Sequence, residues 1–413
     1  MHVGYMIKME RLSQKMKQAV LAKGICSESQ LSRIENGNIK GRDEVLDKLS
    51  KRLGIAISDD FKDERVRVED YVVRYERIIN TRDQEGAARL ISELTDKFPS
   101  AGIQTRIELE LMAIRLSLVL KGGEKETRRK LAKYQDIQSE LTPQQAFAVL
   151  KMKGMSLYTN GELKESLEAL SKAKCMTESL ALSPFERADF AYVLSVVLMA
   201  NGQKFEALVQ AKQALAYFES IMMEQRVVEC HMICGVAYKN NDNLTKALEV
   251  FHLVEMICIQ FDLDSLLGIL HQNIGDVYSV MGESERAISH FEIAIDHKEL
   301  PSELLYSIYS LVKEYEKIGR LDQVKKCLKE GSGLVPELHE RKREYYEHHF
   351  NAYEAVCSQD EKKIENAMLS AFHFFKKRGS HKQWMDYAKK LADLYARNGK
   401  YKKAVDFYKM IVG

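Results

Sequence analysis

From about Glu64 onward, apolar residues recur every three or four positions, the spacing that lines one face of an α-helix. Short turns interrupt this pattern at regular intervals, so the chain reads as a succession of amphipathic helices. The clearest unit is Ile274-Gly275-Asp276-Val277-Tyr278, followed by Gly282, Ala287, Phe291 and Ala294. It places a small residue for close helix contact, an aromatic knob, a turn, and then Ala and an aromatic on a second helix. Gly235, Tyr238, Ala247 and Phe251 repeat the design. Turn positions at 161, 202, 242, 282, 319 and 399 are spaced by 41, 40, 40, 37 and 80 residues, the last gap holding a degenerate repeat near Gln359. A period of about 40 predicts seven to nine helix hairpins stacked on one another.

The first fifty residues follow a different rhythm. Between Val3 and Leu53 the pattern predicts four or five short helices, with turns at Lys23-Gly24, Asn36-Gly37-Asn38 and Gly41. Ile25, Leu31 and Ile34 supply buried positions. Ser27, Glu28, Ser29, Gln30 and Arg33 occupy the opposite face of the same helix, where they could meet base edges in a major groove. Lys17, Gln18 and Lys40 are placed for phosphate contacts that set register without reading sequence. Asp43 is the expected cap of the following helix.

The segment from Leu21 to Gly37 resembles the XRE-type helix-turn-helix, and Glu44 to Ile55 matches that family's fourth helix. The hairpin pattern is similar to tetratricopeptide repeats lengthened by about a turn, as in the peptide-sensing RRNPP regulators of the Rap, NprR and PlcR type. The resemblance implies an all-α fold: a helix-turn-helix bundle (1–57), a linker (58–70) and a right-handed superhelical repeat solenoid (71–413). Two positions depart from the family: Glu10 stands where an apolar residue is usual, and Gly41-Arg42 replaces Pro-Ser.

A solenoid of this kind presents the first helix of each hairpin on its concave face, and such grooves bind peptides. The register assigns Lys151, Met155 and Tyr158 to that face, then Tyr192, Val196 and Met199, then Glu229, Met232, Val236, Lys239 and Asn240. Gln272, Asn273 and Asp276 follow, with Tyr306, Tyr309 and Lys313 after them. Side-chain amides can pair with both the donor and the acceptor of a peptide backbone. The resemblance implies that Asn273 holds a short signalling peptide, although Val193 and Ile233 stand at the equivalent position of two other repeats.

Charge sharpens the division of labour. Residues 1–57 carry eleven Lys and Arg against six Asp and Glu, whereas the remainder carries 51 against 54. A basic head on a slightly acidic body expects double-stranded DNA at the head. The seven cysteines lack the paired spacing of zinc or redox sites and read as core thiols. No phosphate loop, His-Glu-x-x-His or nucleophile elbow appears, so neither an enzyme nor a cofactor is expected, and His348 and His349 read as structural. With no long apolar run or signal-like N-terminus, a cytoplasmic location is expected. The last helix spreads Tyr401, Val405, Phe407, Tyr408, Met410, Ile411 and Val412 over more than one face, which predicts a homodimer through the C-terminal repeats. If that helix instead folds back wholly onto Trp384, Tyr387, Leu391 and Tyr395, the chain is a monomer. The rival function, implied by the resemblance to Rap proteins, is docking of a response regulator beneath a vestigial head.

Overall fold

The computed structural model describes residues 3–14, 16–54, 68–97, 103–120, 124–134 and 141–412. Among these residues the regular structure is helical throughout. The chain forms two compact units, Met1–Asn241 and Asp242–Gly413.

The first unit opens with four short helices: α1 (Val3–Ser13), α2 (Gln18–Ala22), α3 (Glu28–Glu35) and α4 (Asp43–Leu53). Ile7, Leu21, Leu31, Ile34, Leu49 and Leu53 bury themselves together as the core of this head. Its polar scaffold is as specific as its apolar one. Glu35, fully buried, takes two hydrogen bonds from Arg11 (2.6 and 2.9 Å) and one from Gln18 (2.6 Å), tying α1 and α2 to the end of α3. Such a bidentate pair holds its geometry because the guanidinium fork matches the carboxylate. Ser27 caps α3 by accepting from the Gln30 amide, as its residue type favours. Asp43 caps nothing. Arg42 is the N-cap of α4, and Asp43 with Glu44 instead sets negative charge against the positive end of the helix dipole.

The unit continues with α5 (Glu69–Thr81), α6 (Gln84–Lys97), α7 (Ile103–Ser117), α8 (Glu124–Ala132), α9 (Pro143–Thr159), α10 (Leu163–Met176), α11 (Pro184–Ala200), α12 (Lys204–Ser220) and α13 (Glu224–Asn240). The linker expected at 58–70 lies outside the described residues as far as 67. Its end is helical, because Glu69 and Asp70 fit the first turn of α5 for the same dipole reason. Capping boxes with proline at the first helical turn start α9 (Thr142, Gln145) and α11 (Ser183, Glu186), so both begin at sharply defined residues.

The second unit comprises α14 (Leu244–Gln260), α15 (Asp264–Met281), α16 (Ser284–Asp296), α17 (Pro301–Lys317), α18 (Leu321–Leu334), α19 (Glu340–Ser358), α20 (Glu361–Lys377), α21 (His381–Arg397) and α22 (Tyr401–Val412). The turn residues that set the period, 161, 202, 242, 282, 319 and 399, all adopt left-handed backbone, as does Gln359 in the degenerate repeat. Such a conformation ends a helix and suits glycine best. Close helix approach explains the small residues: a Cβ on Gly275 would lie 2.5 Å from the Phe291 ring. The last helix divides its apolar surface. Phe407 packs edge-on to Phe372 and stacks on Tyr395, whereas Tyr401 and Val405 stay largely exposed.

Not all the thiols are core. Cys230, Cys234, Cys258 and Cys327 are buried, but Cys175 is exposed and Cys26 and Cys357 are half-buried. Among the described residues no helix is long and apolar enough to cross a membrane, and no His, Cys, Asp and Glu are grouped to hold a metal.

Candidate functional site

The head exposes several of the polar residues expected to meet DNA. Ser27, Glu28, Ser29 and Arg33 of α3 are exposed and Gln30 is half-buried, while Leu31, Ile34 and Glu35 of the same helix face the core. Lys17, at the N-cap of α2, and Lys40 are exposed cations. Gln18 is not available in the same way. Its amide nitrogen is held by Glu35, so it positions α3 instead of reaching outward. The Ser27 hydroxyl oxygen is likewise occupied by its capping bond, leaving its proton to donate.

The helices expected to face a ligand divide by unit. In the first, three of the expected positions are drawn into a buried ionic network. Asp189 of α11 binds Arg115 of α7 (3.1 Å), Lys151 of α9 (3.0 Å) and Arg226 of α13 (2.9 Å). Three cations hold its carboxyl far below the ordinary range, against a burial that alone would raise it. Arg226 also binds Glu229, which takes two hydrogen bonds from Arg82 at the end of α5, and the Arg226 guanidinium lies 4.0 Å from the centre of the Tyr192 ring. Lys151, Tyr192 and Glu229 are therefore engaged in this network. Met232 and Lys239 are half-buried on α13, and Asn240 is exposed at its end.

In the second unit, Gln272 is buried, accepting from Ser307 (2.5 Å) and Lys298 (3.2 Å) and donating to Ser310 (3.2 Å). It joins α15 to α17, a structural duty that its concave register did not reveal. Asn273 is half-buried, and its amide nitrogen donates to the carbonyl of Ile269 in its own helix (3.0 Å). Asp276, Tyr306, Tyr309 and Lys313 do come together. Tyr306 donates to Asp276 (3.4 Å), and the Lys313 ammonium sits 5.0 Å from the Tyr309 ring centre. Burial lowers the Lys313 pKa, with nearby Asp276 opposing it. Lys313 and Tyr309 open onto a cavity of about 530 Å³ whose other walls include Glu316, Tyr353, Tyr387 and Lys390.

Sequence reasoning missed Arg82, Arg115, Asp189 and Arg226, and the α19 to α21 wall of this cavity. One signal was present: Arg115, in Met-Ala-Ile-Arg-Leu, is a single charge inside an apolar run, and buried charges are retained only when paired, whereas Asp189 follows Glu186-Arg187 and carried no such mark. His349 is structural. Tyr309 and Tyr387 share its Nδ1 at 3.0 and 2.7 Å, and it stacks on Phe375.

Comparison with known proteins agrees with this arrangement. The family model described as Helix-turn-helix matches residues 7–59. Over 401 residues the chain is 27% identical to the transcriptional activator NprA of Geobacillus stearothermophilus, covering 94% of this chain and 97% of NprA. Response regulator aspartate phosphatase A of Bacillus subtilis is 24% identical over 60% of this chain and 66% of its own length. Among solved structures, the apo quorum sensor NprR from B. thuringiensis superposes with a TM-score of 0.71 at 15% identity, covering 84% of this chain and 97% of NprR. A Rap protein complexed with competence and sporulation factor gives 0.68 at 18% identity, over 83% and 97% of the two chains. With a helix-turn-helix head, a body of helical repeats and a likeness to NprA along nearly its whole length, the chain resembles the RRNPP group of regulators.

Proposed function

We propose that this protein is a peptide-responsive transcriptional regulator. Its head reads double-stranded DNA through α3, and its repeats hold a short signalling peptide that changes DNA affinity or oligomeric state by about 1 to 3 kcal/mol. The observation that carries this reading is the division of α3: every buried position serves the head's core, and the polar positions Glu28, Ser29 and Arg33 are left to solvent. NprA is named a transcriptional activator, and one NprR structure holds its cognate peptide NprX, which supports the same pairing of roles here. Within the second unit, Asn273, Asp276, Tyr309 and Lys313 are the peptide contacts this reading favours. A homodimer through the exposed Tyr401 and Val405 of α22 would set two heads on one pseudo-palindromic site.

The test is fluorescence anisotropy with genomic promoter fragments, with and without short peptides encoded beside the gene. Specific, salt-sensitive binding that shifts with one peptide is expected. Absence of specific DNA binding under all conditions would refute the DNA-reading role. In that case docking of a response regulator, suggested by the similarity to aspartate phosphatase A, becomes the better account.

A further inference from the structure

The cavity of the second unit holds hydrogen-bond donors that its own side chains do not use. His349 stands behind two of the residues that line it, Tyr309 and Tyr387, whose hydroxyls both meet its Nδ1, at 3.0 and 2.7 Å. Burial first, and then the charge of Lys313, brings the His349 pKa down to about 3, so at neutral pH the ring carries a single proton. One ring nitrogen donates one proton or offers one lone pair. In either tautomer at least one phenol proton is therefore left to donate elsewhere. Burial raises both phenol pKa values well above the ordinary one, which keeps those protons in place. Lys313, one turn along α17 from Tyr309, is a second unused donor. Its half-buried ammonium lies 5.0 Å from the Tyr309 ring centre and, among the described residues, makes no hydrogen bond or ion pair. Burial lowers its pKa, as expected of a cation short of an anion, although Asp276 opposes the shift. The acids that line the cavity do not fill that need: Glu316 is taken by Lys390 (2.8 Å), Asp393 accepts from the Tyr408 hydroxyl, and Asp386 is exposed. Against these three acids stand five cations, since Lys317, Lys389 and Arg397 line it as well.

We propose that this cavity binds a carboxylate carried on an aliphatic arm, the acid accepting from Lys313 and from the spare phenol proton, and the arm lying against Val356, Ile364, Met368 and Leu394. A carboxylate has two oxygens, enough for both donors, and brings the negative charge that Lys313 lacks. The volume of about 530 Å³ lies within the range of small-ligand sites and admits an acid of about six carbons. The carboxylate belongs either to a free acid or to the last residue of a peptide. In the second case the site extends the contacts favoured above, Tyr309 and Lys313, to α21 and rests on that reading; in the first it stands alone.

Isothermal titration of the full-length protein, without DNA or signalling peptide, decides it. The probes are 4-methylpentanoate, N-acetyl-leucine and the amide of each. At least one acid should bind, and its amide, which lacks the charge, at least tenfold more weakly. Binding of N-acetyl-leucine alone assigns the end of a peptide; binding of 4-methylpentanoate assigns a free acid. Lys313→Met keeps the stem and removes the ammonium, so it should weaken the acid at least tenfold while the circular dichroism spectrum is retained. Leu394→Trp should fill the cavity and abolish binding of acid and amide alike. Equal binding of acids and amides, no binding by either acid, or undiminished binding to folded Lys313→Met or Leu394→Trp would overturn the proposal. Such a failure leaves the DNA-reading and peptide-holding roles standing, because neither is measured here.

Discussion

Glu10 of α1 accepts a hydrogen bond from Arg106 of α7 at 2.5 Å, linking the helix-turn-helix head to the first repeats through two side chains that are each at least 80% buried. The position at which the head departs from its family is therefore not a defect of its core. An apolar residue there would leave Arg106 with only the longer 4.0 Å approach to Glu110. Glu10→Ala, Arg106→Ala and the double variant should show a coupling of about 1 kcal/mol, the upper range for a partly exposed pair. Hydrogen exchange in α1 and α7 should quicken in each single variant. Additive single effects would mean that the head is held by other contacts.

On DNA, two classes of substitution should separate. Arg33→Ala and Glu28→Ala are expected to cost about 1 to 3 kcal/mol on the preferred site and to relax its sequence preference. Lys17→Ala and Lys40→Ala should weaken all sequences alike and each reduce the salt slope by about one. Gln18→Ala belongs to neither class. By freeing a buried acceptor on Glu35 it should lower the melting temperature of the head before it lowers affinity. A Gln18→Ala head of unchanged stability that lost only DNA binding would contradict that assignment.

Acid should weaken the second unit through His349. Burial, then the charges of Lys313, His348 and Lys390, bring its pKa down to about 3. Because the folded value lies below the unfolded one of about 6.5, the unfolded chain binds more protons in between, and stability falls as pH drops below about 6.5. The slope is about 1.4 kcal/mol per pH unit and flattens near pH 3. His349→Asn, whose side-chain amide can pair with Tyr309 and Tyr387 in place of the ring and does not titrate, should lose less stability in urea between pH 7 and 5.5 than the parent. Parallel pH profiles would show that other groups govern the acid response.

Asp189 works in the same sense, in a lower pH window. Its pKa is depressed, so its contribution is complete above the unfolded value near 4 and is lost only as pH falls through the lower folded value. Asp189→Asn should cost about 3 to 5 kcal/mol at neutral pH, because Arg115, Lys151 and Arg226 would face each other without their common anion. Denaturant titration reads this directly, and a loss below about 1 kcal/mol would show that water reaches the cluster.

The C-terminal helix offers a test of assembly that depends on knowing which face is buried. Phe407 and Ile411 pack into the core with Phe372 and Tyr395, so charges there would unfold the end of the second unit whatever its oligomeric state. Tyr401→Glu with Val405→Glu alters exposed positions instead. Light scattering should report a dimer for the parent and a monomer for this variant at unchanged helicity. A monomeric parent at micromolar concentration, with and without peptide, would end the dimer proposal.

The helices, their turns and their period were legible in the residues themselves. Apolar spacing and left-handed turn residues are local requirements, met within a few positions of one another, so Gly282 or Gly319 announces its turn wherever the chain goes. The polar face of α3 was legible for the same reason, since a helix fixes the angle between neighbours. What the local code does not carry is the partner of a polar side chain. Glu229 reads as groove lining until Arg82, 147 residues earlier, is seen to hold it, and Gln18 reads as a phosphate contact until Glu35 takes its amide. Gln272 and Asn273 differ by one residue, or about 100° of helix. Packing against α17 draws the first into a buried network, and the second remains half-buried on its own helix. Desolvation makes such choices strict, because a buried charge or amide must find its partner from whichever helix the fold brings near, and only the tertiary structure determines which helix that is.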